Sequence, residues 1–245
     1  MKLFGLTDTG CVRKDNQDSY AFRQLGDEVA VLVVCDGMGG AQAGSVASAV
    51  AVEAFSAAVE AELSGGLPDS LEEREDILAL ACRKANEQVH ELSRNNEEYR
   101  GMGTTLVAAL VLRDEAYVAN VGDSRCYLIS GGTIRQETTD HSLVQMLVDR
   151  GEITPEEART HPKKNLITRA LGVDRSVKCD LFRVETGPGS RLLLCSDGVS
   201  NVLTDETLAQ ESGLEADPER FCRKLLSMTL EQGAPDNVTV VLAQL

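Results

Sequence analysis

The sequence predicts an α+β fold in which helices pack against antiparallel β-sheet. Apolar runs typical of strands follow one another in series, and two long segments with helical spacing lie side by side in the chain. Strands and helices therefore come in groups, whereas an α/β fold alternates them strictly. No internal repeat or linker divides the 245 residues, so we expect one domain spanning residues 1–245.

The first half of the chain supplies one buried strand and both long helices. Residues 29–35 are rich in valine and alternate little in polarity, which is typical of a strand buried on both faces. Residues 44–63 are rich in alanine, carry apolar residues at helical spacing, and end before a Gly-Gly sequence. Residues 71–98 are predicted to form the second helix, with one apolar face.

A meander of three strands follows, at Thr105–Leu112, Ala116–Val121 and Arg125–Ile129. The turns between these strands contain Asp114 and Asp123. Because successive turns of a meander lie at opposite ends of the sheet, only one of these two aspartates can join a given cluster.

The second half begins with a segment of a different character, residues 141–172. It contains a short helical stretch, Ser142–Arg150, and a helix start with Thr154 as N-cap and Pro155 at the first helical position. We interpret it as an insertion over the sheet edge, and such segments often cover sites. The remaining elements are strands at 191–196 and 238–243 and helices at 204–212 and 217–233.

The composition excludes several functional classes. A net charge of −15 argues against nucleic acid and against anionic membrane surfaces as partners. Seven cysteines without a C-x-x-C pair are typical of reduced, buried thiols. Neither a signal peptide nor an apolar run of membrane-spanning length is evident, so a cytoplasmic location is expected.

Three aspartates stand where apolar strands meet loops. Asp36 and Asp197 end strands, whereas Asp236 precedes one. In an antiparallel sheet the start of one strand lies beside the end of its neighbour, so we expect the three carboxylates to meet at one sheet edge. Like charges repel, and a cation would relieve the repulsion. The aspartates at 36 and 197 belong to Asp-Gly pairs, which are common in turns, so the hypothesis depends on the set of three.

The donors in this set favour a hard divalent cation. Carboxylates and carbonyls suit Mg²⁺ or Mn²⁺, whereas the cysteines lie in strands and the three histidines are scattered, which makes zinc unsuitable. Two such ions can activate a water for displacement at phosphorus. A phosphoryl substrate also needs a cationic group, for which Arg13 is a candidate, although a lone arginine is more often a solvated surface residue.

Seven motifs together are far more specific than any one of them. In chain order they are Arg13-x-x-Asn16-Gln17-Asp18, Asp36-Gly-Met-Gly-Gly40, Gly101-Met-Gly-Thr-Thr105, Asn120-Val-Gly-Asp-Ser-Arg125, Thr139-Asp-His-Ser142, Ser196-Asp-Gly198 and Asp236-Asn237. In this order they resemble the bacterial branch of the metal-dependent protein phosphatases, the type 2C serine/threonine family. The resemblance covers nearly the whole chain.

The resemblance implies a four-layer α-β-β-α sandwich of two antiparallel sheets, with a site for Mg²⁺ or Mn²⁺ at one end. By motif position, Asp36 bridges two ions and the Gly37 carbonyl binds the second. Asp197 and Asp236 hold the first ion, and Asp123 contributes with Asp197 to a weaker third site.

The resemblance also implies catalytic roles and substrates. Arg13 is expected to bind the phosphate, Asp18 to orient metal-bound water, and residues 141–172 to form a flap. Water bridging two metals is expected to attack phosphoserine or phosphothreonine in proteins directly, without a phosphoenzyme. The expected protein is a monomer whose partner is a serine/threonine kinase.

Two positions depart from a frequent form of the family. Ala41 stands where many members carry histidine, and Ser45 where an acidic residue is common. We therefore expect a metal-bound water to protonate the leaving alkoxide. Of the remaining histidines, His90 is predicted to be solvated and His141 to fix the start of the flap.

Three alternatives compete with this hypothesis. A partner-switching phosphatase would act on one small regulatory protein. A binding module that has lost catalysis would not need all of Asp18, Asp36, Asp197, Asp236 and Arg13. A calcium protein is disfavoured because the D-x-[DN]-x-[DN]-G loop is missing from the sequence.

Overall fold

The computed structural model describes residues 1–40 and 42–245, which fold into two antiparallel sheets packed face to face with helices on both outer faces. The strands are β1 (Lys2–Asp8), β2 (Asp18–Gly26), β3 (Val29–Met38), β4 (Gly103–Thr104), β5 (Leu106–Val111), β6 (Glu115–Val121), β7 (Arg125–Ser130), β8 (Thr133–Gln136), β9 (Asp180–Glu185), β10 (Arg191–Cys195) and β11 (Val238–Gln244). The helices are α1 (Ala43–Leu63), α2 (Leu71–Asn95), α3 (Leu143–Asp149), α4 (Pro155–Thr160), α5 (Asp197–Ser200), α6 (Asp205–Leu214) and α7 (Pro218–Glu231).

The two sheets are built from strands that are distant in sequence. The five-stranded sheet has the order β1-β11-β10-β7-β8, and the six-stranded sheet the order β2-β3-β5-β6-β9, with β4 paired to β3. Every pairing is antiparallel. The predicted α+β sandwich is confirmed.

Three apolar layers hold the four structural layers together. Because side chains alternate across a strand, β3 sends Leu32 and Val34 toward the second sheet and Val33 toward α1 and α2. The valine-rich run is therefore buried on both faces, as predicted. On the other side of the molecule, Phe221 and Leu225 of α7 pack against the five-stranded sheet.

The helices begin where their capping residues predict. Ser142 accepts a hydrogen bond from the Gln145 amide at the start of α3, and Thr154 forms a full capping box at the start of α4. The second long helix is shorter than predicted: α2 ends at Asn95, and a 3₁₀ turn follows at Glu97–Tyr99. The short helices at 143–149 and 155–160 lie in the expected insertion.

The predicted meander is wrong in one respect. Its first two strands, β5 and β6, belong to the six-stranded sheet, but the third, β7, belongs to the other sheet. The chain changes sheets at the Gly122–Ser124 turn, where Gly122 has a φ of 109°. This crossing carries the turn, and Asp123 with it, to the end of the sandwich where the other candidate aspartates lie.

Candidate metal centre

Asp18 and Asp36 face each other across a pair of strands. The register of β2 and β3 places the two aspartates directly opposite, where like charges destabilise a sheet. Asp36 lies inside β3, which continues to Met38, so the prediction that it ends the strand is wrong. Its backbone is fixed on both sides, because its amide donates to Thr105 Oγ1 at 2.9 Å and its carbonyl accepts from the Thr105 amide at 2.8 Å.

Asp197 and Asp236 come from two neighbouring strands of the other sheet. Asp197 begins α5 two residues after β10, and Asp236 lies two residues before β11. Because β10 and β11 pair antiparallel, the end of one strand lies beside the start of the other. This part of the sheet-edge argument is confirmed, but Asp36 belongs to the six-stranded sheet. The cluster therefore forms across the sandwich and not along one sheet edge.

Hydrogen bonds between the sheets hold Asp18 in place. Its Oδ2 accepts from Ser196 Oγ at 2.7 Å and from Thr239 Oγ1 at 2.6 Å, both on the opposite sheet. The Asp18 Oδ1 atom is buried and has no hydrogen-bond partner, and the same is true of Asp197 Oδ1. Sequence reasoning missed Thr239, because a threonine inside an apolar strand is an ordinary strand residue.

We call Asp18, Asp36, Asp123, Asp197 and Asp236 the aspartate cluster. Removal from water raises the pKa of Asp18 to about 7 and that of Asp197 to about 6, and the neighbouring Asp236 carboxylate adds to both shifts. The pKa of Asp36 is well above its ordinary value because of desolvation and the charges of Asp18 and Asp197. The cluster thus stores electrostatic repulsion that a cation would relieve.

Asp123, and not Asp114, is the meander aspartate that joins the cluster. It is buried, and its pKa is well above its ordinary value because of desolvation and the charge of Asp197. The exposed Asp114 precedes β6 at the far end of the same strand. His141 contacts the Asp123 turn: its Nδ1 accepts from the Gly122 amide at 3.0 Å.

Arg13 lies at the rim of the cluster. Its Nη2 atom donates to Asp236 Oδ2 at 2.8 Å, and about half of the arginine side chain, 51 %, is exposed. The loop that carries Arg13 is held by Asn237, whose side-chain Nδ2 donates to the carbonyls of Thr9 and Asp15 at 2.9 and 3.0 Å. The candidate phosphate-binding group is therefore paired with a candidate metal ligand.

Close backbone packing explains two glycines of the motifs. A Cβ atom at Gly37 would lie 2.0 Å from the Gly44 carbonyl oxygen, and one at Gly198 would lie 1.9 Å from the Asn237 carbonyl oxygen. Neither distance is possible for a side chain, so these positions require glycine. The two contacts bring the backbones that carry Asp36, Asp197 and Asp236 to fixed positions.

The chemistry of the cluster fits a hard divalent cation. Its donors are carboxylate oxygens, which are the ligands that Mg²⁺ and Mn²⁺ prefer, and one of them, Asp197 Oδ1, is buried without a partner. Across residues 1–40 and 42–245, no three His, Cys, Asp or Glu side chains converge as they stand to hold an ion.

The segment 141–172 lies beside the cluster and is fastened at both ends. The Thr168 amide donates to the His141 carbonyl at 2.7 Å, and the Leu143 amide donates to the Leu166 carbonyl at 2.8 Å. A cleft of about 520 Å³ lies between this segment, α6 and the cluster. It is lined by Asp123, Gln145, Arg159, Lys164, Asp197 and Asp205, among others.

Predictions were also made for His90, for the two positions that depart from the family pattern, and for the cysteines. His90 is half-buried and its Nδ1 lies 3.1 Å from the Gly172 carbonyl oxygen, so the prediction of a solvated histidine is wrong. Packing of α2 against the end of the flap segment accounts for this contact.

Ser45 donates to the Gln42 carbonyl at 2.9 Å in the first turn of α1. Ala41 lies outside the described residues. All seven cysteines are free thiols, and five of them are buried as predicted, but Cys11 is exposed and Cys179 is partly buried.

Among residues 1–40 and 42–245, no helix combines the length and apolar character that crossing a membrane requires.

Comparison with known proteins identifies the family of this chain. The model of the family described as protein phosphatase 2C matches residues 12–243. The serine/threonine phosphatase stp of Listeria welshimeri is 39 % identical over 242 residues, covering 97 % of this chain and 93 % of that protein. These matches extend over nearly the full length of both sequences.

Solved structures show the same fold. A serine/threonine phosphatase from Staphylococcus aureus superposes with a TM-score of 0.90 at 37 % identity, covering 100 % of this chain and 94 % of the other. The catalytic domain of the serine/threonine protein phosphatase PstP, in complex with two manganese ions, gives a TM-score of 0.84 at 36 % identity, covering 99 % and 97 %. This chain therefore belongs to the protein phosphatase 2C family, among its bacterial serine/threonine phosphatases.

Proposed function

We propose that the chain hydrolyses phosphoserine and phosphothreonine in proteins with Mn²⁺ or Mg²⁺, by direct attack of a water that bridges two ions. One observation carries the proposal: both sheets deliver carboxylates to one end of the sandwich, and two buried carboxylate oxygens there have no partner. The manganese complex of PstP supports the choice of metal.

The ions would be held by the residues of the aspartate cluster. We assign Asp36 as the bridging ligand with the Gly37 carbonyl beside it, Asp197 and Asp236 to the first ion, and Asp123 to a weaker third site. When bound, such ions lower the pKa of water and neutralise charge on the phosphoryl oxygens. The glycine contacts at positions 37 and 198 keep the backbone of these ligands rigid.

Arg13 and Asp18 act on the substrate and on water without holding an ion. The Arg13 guanidinium binds two phosphoryl oxygens. Its planar group can donate two parallel hydrogen bonds to them, which an ammonium group cannot do. Asp18 uses its unpartnered Oδ1 to accept a hydrogen bond from the attacking water and so orients it. Ser196 and Thr239 hold the other oxygen of Asp18, so the direction of that hydrogen bond is set in advance.

The whole chain acts as one catalytic domain in this proposal, with residues 141–172 as the flap. The cleft between that segment and α6 opens directly onto Asp123 and Asp197, so a polypeptide lying in it would present its phosphate to the cluster. Access for protein substrates thus depends on the flap.

Hydrolysis of an aryl phosphate with and without Mn²⁺ tests the proposal. We expect Mn²⁺-dependent turnover in the native chain and a loss of at least about 10³-fold in Asp36→Asn, because the bridging ligand is removed. Asp114→Asn is the matched control, since this exposed aspartate lies at the opposite end of β6, and it should retain native activity. Full activity of the chelated protein or of Asp36→Asn would refute the mechanism.

The physiological partner in this proposal is a serine/threonine kinase whose products the enzyme reverses, in the cytoplasm, with the phosphatase as a monomer. The seven free thiols support a reducing compartment. A panel of unrelated phosphopeptides separates this function from that of a partner-switching phosphatase. We expect turnover of many peptides, whereas the rival function predicts poor turnover of all of them.

A further inference from the structure

We propose that His141 is a positioning residue that holds the turn carrying Asp123 and ties this turn to the end of the flap. The inference rests on the proposed function, because it concerns the affinity of the aspartate cluster for Mn²⁺. His141 is buried and lies at the first residue of the flap segment. It contacts three parts of the chain that are distant in sequence.

The first contact is with the Asp123 turn, and it is double. The His141 amide donates to the Gly122 carbonyl at 2.9 Å, and the Gly122 amide donates to His141 Nδ1 at 3.0 Å. A Cβ atom on Gly122 would lie 2.6 Å from the Thr105 side chain, and its φ of 109° favours glycine. The turn therefore has little freedom to relax if the histidine is lost.

The second contact follows from the protonation of the ring. Because Nδ1 accepts a hydrogen bond, the proton of the neutral imidazole is on Nε2. Nε2 donates to Asp180 Oδ2 at 3.1 Å, at the start of β9. Arg169 Nη1 lies 2.9 Å from Nε2, but both atoms carry hydrogens. Arg169 instead donates to Asp180 Oδ1 at 2.9 Å and to the Lys178 carbonyl at 3.1 Å.

The third contact joins His141 to the end of the flap. The Thr168 amide donates to the His141 carbonyl at 2.7 Å, and Arg169 follows directly in the chain. A displacement of this end of the flap therefore acts on the His141 ring through Asp180 and on its backbone through Thr168. Both routes lead to Gly122.

Asp123 follows Gly122 directly, so the orientation of its carboxylate depends on this turn. On the core side the turn is fastened by Ser124, whose hydroxyl lies 2.8 Å from Thr105 Oγ1. On the flap side the shorter contacts come from His141, since the side-chain Nδ2 of Asn120 donates to the Gly122 carbonyl only at 3.4 Å. Groups that orient a metal ligand typically account for about 10–100-fold in metal affinity.

Two substitutions separate the two ring nitrogens. The side-chain oxygen of His141→Asn takes the place of Nδ1 and can accept from Gly122, whereas the amide of His141→Gln reaches the Nε2 position and leaves Gly122 unpaired. By calorimetry, we expect the weakest class of Mn²⁺ sites to lose about tenfold or more in affinity in His141→Gln and less than about threefold in His141→Asn. The control is Asp114→Asn, which alters an exposed aspartate at the opposite end of β6 and should bind Mn²⁺ as the native chain does.

Hydrogen exchange in the native chain tests the tie to the flap without any substitution. We expect Mn²⁺ to slow amide exchange at residues 166–172 at least about threefold, because coupling between two sites is reciprocal. Equal Mn²⁺ affinities in the two His141 variants, or exchange at 166–172 that Mn²⁺ leaves unchanged, would overturn the inference alone. A native chain that binds no Mn²⁺ would overturn the proposed function with it.

Discussion

The two ends of strand β6 carry acidic side chains in opposite situations. At its start, Glu115 is largely buried and forms ion pairs with Arg74 and with Arg183, the latter at 2.8 Å. Beyond its end, Asp123 is buried among other carboxylates and forms no ion pair within residues 1–40 and 42–245. Within the described part of the chain, the acid at the start of β6 is thus paired with two arginines, whereas the acid beyond its end has no paired cation.

This difference distinguishes a structural site from a functional one. A buried carboxylate is stable only when its charge is balanced, and Glu115 obtains that balance from the chain itself. In the aspartate cluster Asp236 is paired with Arg13, whereas the other four members have no ion pair among the described residues. Desolvation and the neighbouring carboxylates raise the pKa of Asp18, Asp36, Asp123 and Asp197. Perturbed carboxylates gathered at one end of a fold are typical of functional sites.

The comparison predicts that the largest loss of stability comes from the balanced end. Glu115→Gln leaves the largely buried Arg74 guanidinium without its counter-charge, which we expect to cost about 3 kcal/mol in the free energy of unfolding. Asp123→Asn removes one of several like charges, so the metal-free protein should be no less stable than the native chain. Urea unfolding in the presence of a chelator measures both. A greater loss in Asp123→Asn than in Glu115→Gln would contradict the comparison.

The second largest effect on stability should come from Mn²⁺ binding to the aspartate cluster. At a free concentration of 100 Kd, a ligand that binds only the folded state adds about 2.7 kcal/mol. For a chain of this size the thermal midpoint should rise by about 5–10 °C. Asp36→Asn should lose most of this Mn²⁺-induced rise in the thermal midpoint. Glu115→Gln should show the full rise, although its midpoint without Mn²⁺ is lower than that of the native chain. Scanning calorimetry with and without Mn²⁺ measures these midpoints. If Mn²⁺ raised the midpoint of Asp36→Asn as much as that of the native chain, the ion would bind elsewhere.

The smallest effect concerns Asp180, a second balanced acid. Burial opposes its ionisation, but hydrogen bonds from His141, Lys178 and Arg169 lower its pKa to about 2, against 3.8 in the unfolded chain. A lowered pKa contributes stability above pH 3.8, and this contribution is lost as the pH falls through 2. Solvent screens this partly exposed group, so Asp180→Asn should cost about 1 kcal/mol at pH 7.

The difference between native and Asp180→Asn stabilities should shrink steadily as the pH falls from 4 to 2. Urea unfolding at a series of pH values follows it. A difference that is the same at pH 7 and pH 2 would show that the lost contacts do not depend on the charge of Asp180.

The interior strands of both sheets could be predicted from the sequence, whereas the four edge strands could not. The apolar runs of β3, β5, β6, β7, β10 and β11 were evident, and all of these strands lie inside a sheet. The prediction omitted β1, β2, β8 and β9, which are the edges of the two sheets, and also the two-residue β4, which pairs with β3. Edge strands face solvent along one side, so their sequences are less apolar and lack a clear period.

The members of the aspartate cluster were predicted, but their arrangement was not. The strand-end argument correctly placed Asp197 beside Asp236, because these residues flank a real antiparallel pair. It placed Asp36 on the same sheet, since no local pattern tells which of two sheets a strand joins. Polar partners such as Thr239 were missed for a related reason: they are defined only by what lies opposite them in the fold.

Asp18 joins the two sheets at the site by hydrogen bonds from Ser196 and Thr239. The gap between the sheets at this end is thus fixed by bond lengths, whereas in the middle it follows the volume of residues such as Leu32 and Val241. Exchanging one aliphatic residue for another in that interior would change the free energy of unfolding without moving the carboxylate oxygens of the site. Aliphatic side chains between the sheets can therefore change while the carboxylates of the site keep their positions.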